Sequence, residues 1–209
     1  MKINFLNGLK SGLAVVAIAV LAVSCSKDKG ATPTGSDAAA NSKLSVNAVP
    51  VSNTYTITGR YGNPASGPAV YGTVYVNLAT GAQDTLSNTV GANVLFTGTN
   101  NSVIQVPATY TLKYLYNTSK TLATLKTSDF TSVAAVTSVG RNTSTTATPN
   151  GWYNYVIPAG VTPISGIYIL VTPASGNSYA IQITGAVGQG SATSNRGVYT
   201  IKTGVINNL

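Results

Sequence analysis

From residue 54 onward, apolar and polar positions trade places every second residue. Tyr55 and Ile57 alternate with Thr54, Thr56 and Thr58. Val74, Val76 and Leu78 share one parity, opposite Tyr75 and Asn77. The same alternation runs through Leu112, Tyr114 and Tyr116, through Ile167, Ile169 and Val171, and through Tyr179, Ile181 and Ile183, and it returns at Tyr199 and Ile201. A period of two places alternate side chains on opposite faces, as in antiparallel strands with one face on a core. Val, Ile, Thr and Tyr dominate these runs and suit a pleated surface. Ala79-Thr80-Gly81, Pro149-Asn150-Gly151 and Ser175-Gly176-Asn177 supply turns between them. One short helix is expected, with Ser128 or Asp129 capping a turn or two through Phe130 to Val136. The pattern therefore predicts an all-β domain, a single antiparallel sheet or open sandwich, with at most one short helix.

The first 24 residues break this pattern. Lys2 and Lys10 precede an uncharged apolar run over 12–23, too short to span a bilayer and suited to a secretion signal. The run closes on Ala22-Val23-Ser24-Cys25, and Cys25 is the only cysteine. This resembles the lipobox of bacterial lipoproteins, in which the cysteine is acylated and becomes the first mature residue. Residues 1–24 are thus expected to be a signal peptide. Residues 25–43, small and polar, read as a lipidated flexible tether. Residues 44–209 read as one folded domain. The expected location is the outer membrane of a Gram-negative cell, at the cell surface or on the periplasmic face, with the lipid anchor as membrane partner.

Charge and composition then remove whole classes of chemistry. The chain has twelve Lys and Arg against four acidic residues, all Asp, with no His. The cations are scattered, and no nucleic-acid recognition motif accompanies them, so nucleic acid is not an expected partner. Without His, Ser–His–Asp and Cys–His sites lack their base. Asp28 and Asp37 fall in the tether, leaving Asp84 and Asp129 as the domain's carboxylates, and both read as turn or cap residues. No phosphate-binding glycine loop follows a strand. The chain is expected to be a binding protein and not an enzyme. Twelve tyrosines supply rings with a polar tip; most are assigned to packing. Tyr153 and Tyr155, beside the only tryptophan, Trp152, are the candidate ligand-binding residues.

The segment Gly151-Trp152-Tyr153-Asn154-Tyr155, followed by Val161-Thr162-Pro163 and Gly166-Ile167-Tyr168-Ile169-Leu170, resembles the HmuY-like family of haem-binding lipoproteins. The closing run Gly197-Val198-Tyr199-Thr200-Ile201-Lys202 and the earlier Tyr75-Val76-Asn77-Leu78-Ala79-Thr80-Gly81 add to the likeness. The resemblance implies projecting hairpins that clasp a porphyrin, haem as ligand, and an outer-membrane receptor as partner. Two departures stand against it. Family members hold iron through His or Met, whereas this chain has no His and its only Met is Met1. A Trp-Asp pair common in the family is replaced by Gly91-Ala92-Asn93-Val94. Tyr phenolate can also ligate haem iron, but Lys113 and Tyr114, as strand neighbours, face opposite ways. No residue is therefore assigned to a metal, and haem stays a cofactor implied by resemblance alone. The alternative is a surface glycan-binding or adhesion lipoprotein on the same fold. Asp84-Thr85-Leu86 also resembles a short bacterial O-glycosylation acceptor at Thr85; the competing reading is a plain turn.

Overall fold

The computed structural model describes residues 52–157 and 160–206. Cys25 and the expected signal peptide and tether lie outside the described residues. Eleven strands occur among those described: β1 (Asn53–Thr58), β2 (Val74–Val76), β3 (Gln83–Asp84), β4 (Val94–Thr97), β5 (Val103–Gln105), β6 (Tyr110–Tyr116), β7 (Tyr153–Val156), β8 (Gly160–Pro163), β9 (Ile167–Pro173), β10 (Ser178–Gly190) and β11 (Asn195–Ile206). They form an antiparallel five-stranded sheet in the order β1-β11-β10-β9-β6, a four-stranded sheet β3-β2-β4-β5, and the two-stranded β7-β8. The domain is all-β, as the alternation predicts.

The main core joins the inner faces of the two larger sheets. Ile57, Leu112, Ile169, Ile181 and Ile201 from the first meet Val74, Val76, Val94, Phe96 and Ile104 from the second. Burial of these side chains is the main favourable term holding the sheets together. Strand β9 is buried on both faces. Ile167, Ile169 and Val171 enter the main core, while Tyr168 and Leu170 enter a smaller cluster with Leu122, Leu125, Phe130 and Ile206.

Helical structure among the described residues is confined to single 3₁₀ turns. The expected helix from Ser128 to Val136 shrinks to Thr127–Phe130, where Asp129 is the third helical residue and accepts from Lys126 N (2.8 Å). Two features stop it there. Thr and Val lower its helical propensity, and Val136 N donates to Leu112 O (2.9 Å), drawing the chain onto the edge of β6. Likewise Leu78 is buried but lies outside β2. Asn77 Oδ1 accepts from Ala79 N and Thr80 N, which turns the chain after Val76.

Strands β10 and β11 pair over their full length, and a bulge divides them. Ile183 pairs with Ile201, but Gly185 pairs with Thr200, so Thr184 is an extra residue. The parity of β10 flips there. Tyr179, Ile181 and Ile183 face the core before the bulge; Ala186, Gly188 and Gly190 share the inner face after it, opposite Tyr199, Gly197 and Asn195. Beyond the bulge the two strands continue as a hairpin rich in glycine.

Candidate functional site

The β7–β8 hairpin lies against β10, and the two hairpins border a groove of about 370 Å³. Tyr155 and Val161, a directly opposed cross-strand pair, form one wall. The inner face of the β10–β11 hairpin forms the other, with Ala186, Gly188 and Gly197 above Tyr199. A methyl group built on Gly188 would meet nothing within 4 Å, whereas one on Gly197 would collide with Tyr199 and with the Asn100 carbonyl. Gly197 is thus required by packing, while Gly188 keeps the groove wide. Glycine in a strand permits close approach to the backbone, so this wall offers open peptide at Gly188, beside Ala186, Val187, Gln189 and Arg196.

The groove rests on an aromatic platform. Tyr199 stacks on Phe96 with ring centroids 5.9 Å apart, and Trp152 meets Tyr199 edge-on at 5.5 Å. Trp152 Nε1 donates to Ser102 O (2.8 Å), and the Tyr153 hydroxyl bonds Ser102 Oγ (3.0 Å). Gly151 precedes them because a side chain there would strike the backbone of Gly140 and Arg141. The three candidate residues therefore separate. Trp152 and Tyr153 are buried, Trp152 against Tyr199, and neither lines the groove; of the three, Tyr155, 45% exposed, stands in it.

The turn 98–102 closes one end. Asn100 and Asn101 both adopt positive φ, near 57° and 56°, a conformation that Asn tolerates better than most residues. Asn101 is fully buried and ties three segments together. Its Oδ1 accepts from Arg60 N (2.8 Å), and its Nδ2 lies within bonding distance of Tyr71 O, Gly72 O and Phe96 O. The Tyr199 hydroxyl donates to Asn100 O (2.6 Å). Neither Asn was singled out by alternation, because their role depends on a left-handed turn. The spacing Gly188-x-Gly190 inside a strand was the one available signal for the bare wall.

The polar groups near the groove are mostly committed. Asn195 Oδ1 accepts from the Tyr71 hydroxyl (2.7 Å). Arg196 donates twice to Gln189 Oε1, at 3.0 and 2.8 Å, with its guanidinium 4.4 Å from the Tyr61 ring centroid. The Arg141 guanidinium lies 5.5 Å from the ring centroid of Tyr155. Among the described residues the ion pair is Lys120–Asp129 (3.0 Å), so neither arginine has a carboxylate partner. Burial, then the Tyr153 and Tyr71 phenols, pushes the Tyr199 hydroxyl up from its ordinary value and keeps it protonated.

Haem iron takes His, Met, Cys thiolate or Tyr phenolate. The chain has no His, and Met1 and Cys25 lie outside the described residues. Tyr199 is bonded to Asn100, and the cation beside Tyr155 sits over its ring. The donor set of the groove does not fit iron. Among the described residues no cluster of three His, Cys, Asp or Glu could hold a metal, and no helix is long and apolar enough to cross a membrane.

The two domain carboxylates each close a local turn. Asp84 accepts from the Thr89 hydroxyl and from Leu86 N (2.8 Å), which lower its pKa from 3.8 to about 2. Asp129 is pushed up by burial, but Lys126 N–H and the Lys120 ammonium outweigh this and hold it below the usual range. In the Asp84-Thr85-Leu86 segment the Asp84 carboxylate serves the turn, and Thr85 O accepts from Arg60 (3.2 Å). No family model matches this chain, and no curated protein matches it in sequence.

Proposed function

We propose that this protein is a lipid-anchored, non-enzymatic binding protein of the bacterial envelope that clasps a flat ring of porphyrin class between its two hairpins. The observation that carries the reading is the groove itself, walled by the Tyr155–Val161 pair on one side and by glycine backbone on the other. A groove of this size falls in the range of small-molecule sites, roughly 300–1,000 Å³. A ring lying between an aromatic side chain and a bare peptide surface gains dispersion and apolar burial on both faces. The lipobox-like Cys25 and the resemblance of the Trp152 segment to haem-binding lipoproteins support the same reading. Iron ligation is no part of it.

The test is to fill the groove without disturbing the fold. Gly188→Val adds a branched side chain where no atom lies within 4 Å. Valine is also a favoured strand residue. The expected result is loss of saturable haemin uptake, read by absorbance titration, with a thermal midpoint unchanged to within about 2 °C, corresponding to less than about 0.5 kcal/mol. Haemin binding by Gly188→Val equal to that of the parent chain would place the ligand elsewhere and overturn the reading.

A further inference from the structure

We infer that the groove reads the shape of its ring and not a metal at the ring's centre, so that metal-free and iron-loaded rings bind alike. This rests on the porphyrin-class reading above and narrows it. Three observations on the groove carry it. First, the inner wall is open peptide backbone at Gly188, and a backbone surface offers no side-chain donor to an axial position. Second, the polar side chains that border the groove already have partners, except Asn100 Oδ1, a buried amide oxygen and not one of the donors that haem iron takes. Tyr199 is bonded to Asn100 O, Asn195 to Tyr71, and Gln189 and Arg196 to each other. Third, Tyr155, the remaining phenol, shares its wall with Val161, and the nearby Arg141 guanidinium sits over its ring face. That arrangement gives the wall an aromatic ring and a nearby cation, both of which favour stacking.

A site that ligates iron gains one strong directional bond and loses most of its affinity when the metal is removed. A site that stacks gains by ring area, which iron does not change. The two designs differ in a measurable ratio.

The experiment titrates the full-length chain in mild detergent with three probes: haemin, metal-free protoporphyrin and zinc protoporphyrin. Absorbance and quenching of intrinsic fluorescence give the dissociation constants. The expected result is agreement among the three within about threefold, with Gly188→Val weakening all three by at least about tenfold. Haemin binding more than about tenfold tighter than the metal-free ring, with a tyrosinate spectrum that Tyr155→Phe abolishes, would overturn the inference and leave the clasp reading intact. Failure of all three rings to saturate would overturn the clasp reading, and this inference with it.

Discussion

The two halves of the β10–β11 hairpin share one hydrogen-bonded ladder and serve opposite ends. In the packed half, residues 178–183 of β10 pair with 201–206 of β11 and send Ile181, Ile183 and Ile201 into the core. In the projecting half, residues 185–190 pair with 195–200; the inner face still sends Tyr199 into the core next to the bulge, and further out it presents Gly188, Gly190 and Gly197. The ladder supplies backbone pairing in both. What differs is what stands on it, and the bulge at Thr184 marks the boundary. A strand can thus keep its pairing while giving up side chains, and backbone left open in this way is what the proposed ring would lie against.

The packed half depends most on Ile181, which is fully buried. Ile181→Ala should cost about 4 kcal/mol through lost transfer and a residual cavity. Denaturant unfolding measures this, and ring binding well below the new midpoint should be retained. Seven residues further along the same strand, Gly188→Val should do the reverse, sparing stability and removing binding.

Next in size is Asn101, which ties the end of the groove to Arg60, beyond the end of β1, and to Phe96 in β4. Asn101→Ala removes the acceptor for Arg60 N and the donors for Tyr71 O, Gly72 O and Phe96 O. It also leaves Ala at positive φ. A loss of about 3 kcal/mol is expected. Unlike Ile181→Ala, it should also weaken ring binding below the unfolding transition, because the Asn100 carbonyl that holds Tyr199 belongs to the same turn.

Thr203 belongs to the packed half. It is buried on β11, and its Oγ1 has no partner. Thr203→Val keeps the shape, removes the unsatisfied hydroxyl, and should raise stability by about 1 kcal/mol without touching the groove. A lower denaturation midpoint would mean that the hydroxyl is satisfied in solution.

The smallest expected effect lies outside both halves, in the turn after β3. The depressed Asp84 pKa means that the ionised carboxylate is favoured in the folded state, so its contribution is full above the ordinary value of 3.8 and is lost as pH falls through about 2. A carboxyl resonance titrating near 2 in the parent and closer to 3.8 in Thr89→Val checks the assignment to the Thr89 hydroxyl. Ring binding at neutral pH should be the same in both.

Much of the architecture was legible because period-two alternation is a local property. Val74 and Val76, Ile167 to Val171, and Tyr179 to Ile183 stand on the strands that their parity indicates. The site was legible only in part. Trp152, Tyr153 and Tyr155 are adjacent in sequence, and two of them are consumed by the core because β7 emerges from the sandwich between Tyr153 and Tyr155. Alternation cannot tell where a strand leaves its sheet. Nor does it show that β9 is covered on both faces, since Leu122, Leu125 and Phe130, which cover Tyr168 and Leu170, are remote in sequence.

The sequence by itself determined the all-β class, the strand faces and the exclusion of histidine chemistry, because each follows from residue type and nearest-neighbour spacing. Only the tertiary structure decided that Thr184 would bulge, that glycines and not Val187 would face inward, and that Tyr155 would stand opposite them. Those outcomes depend on register across strands and on which hairpins meet, and register is set by pairing between residues far apart along the chain.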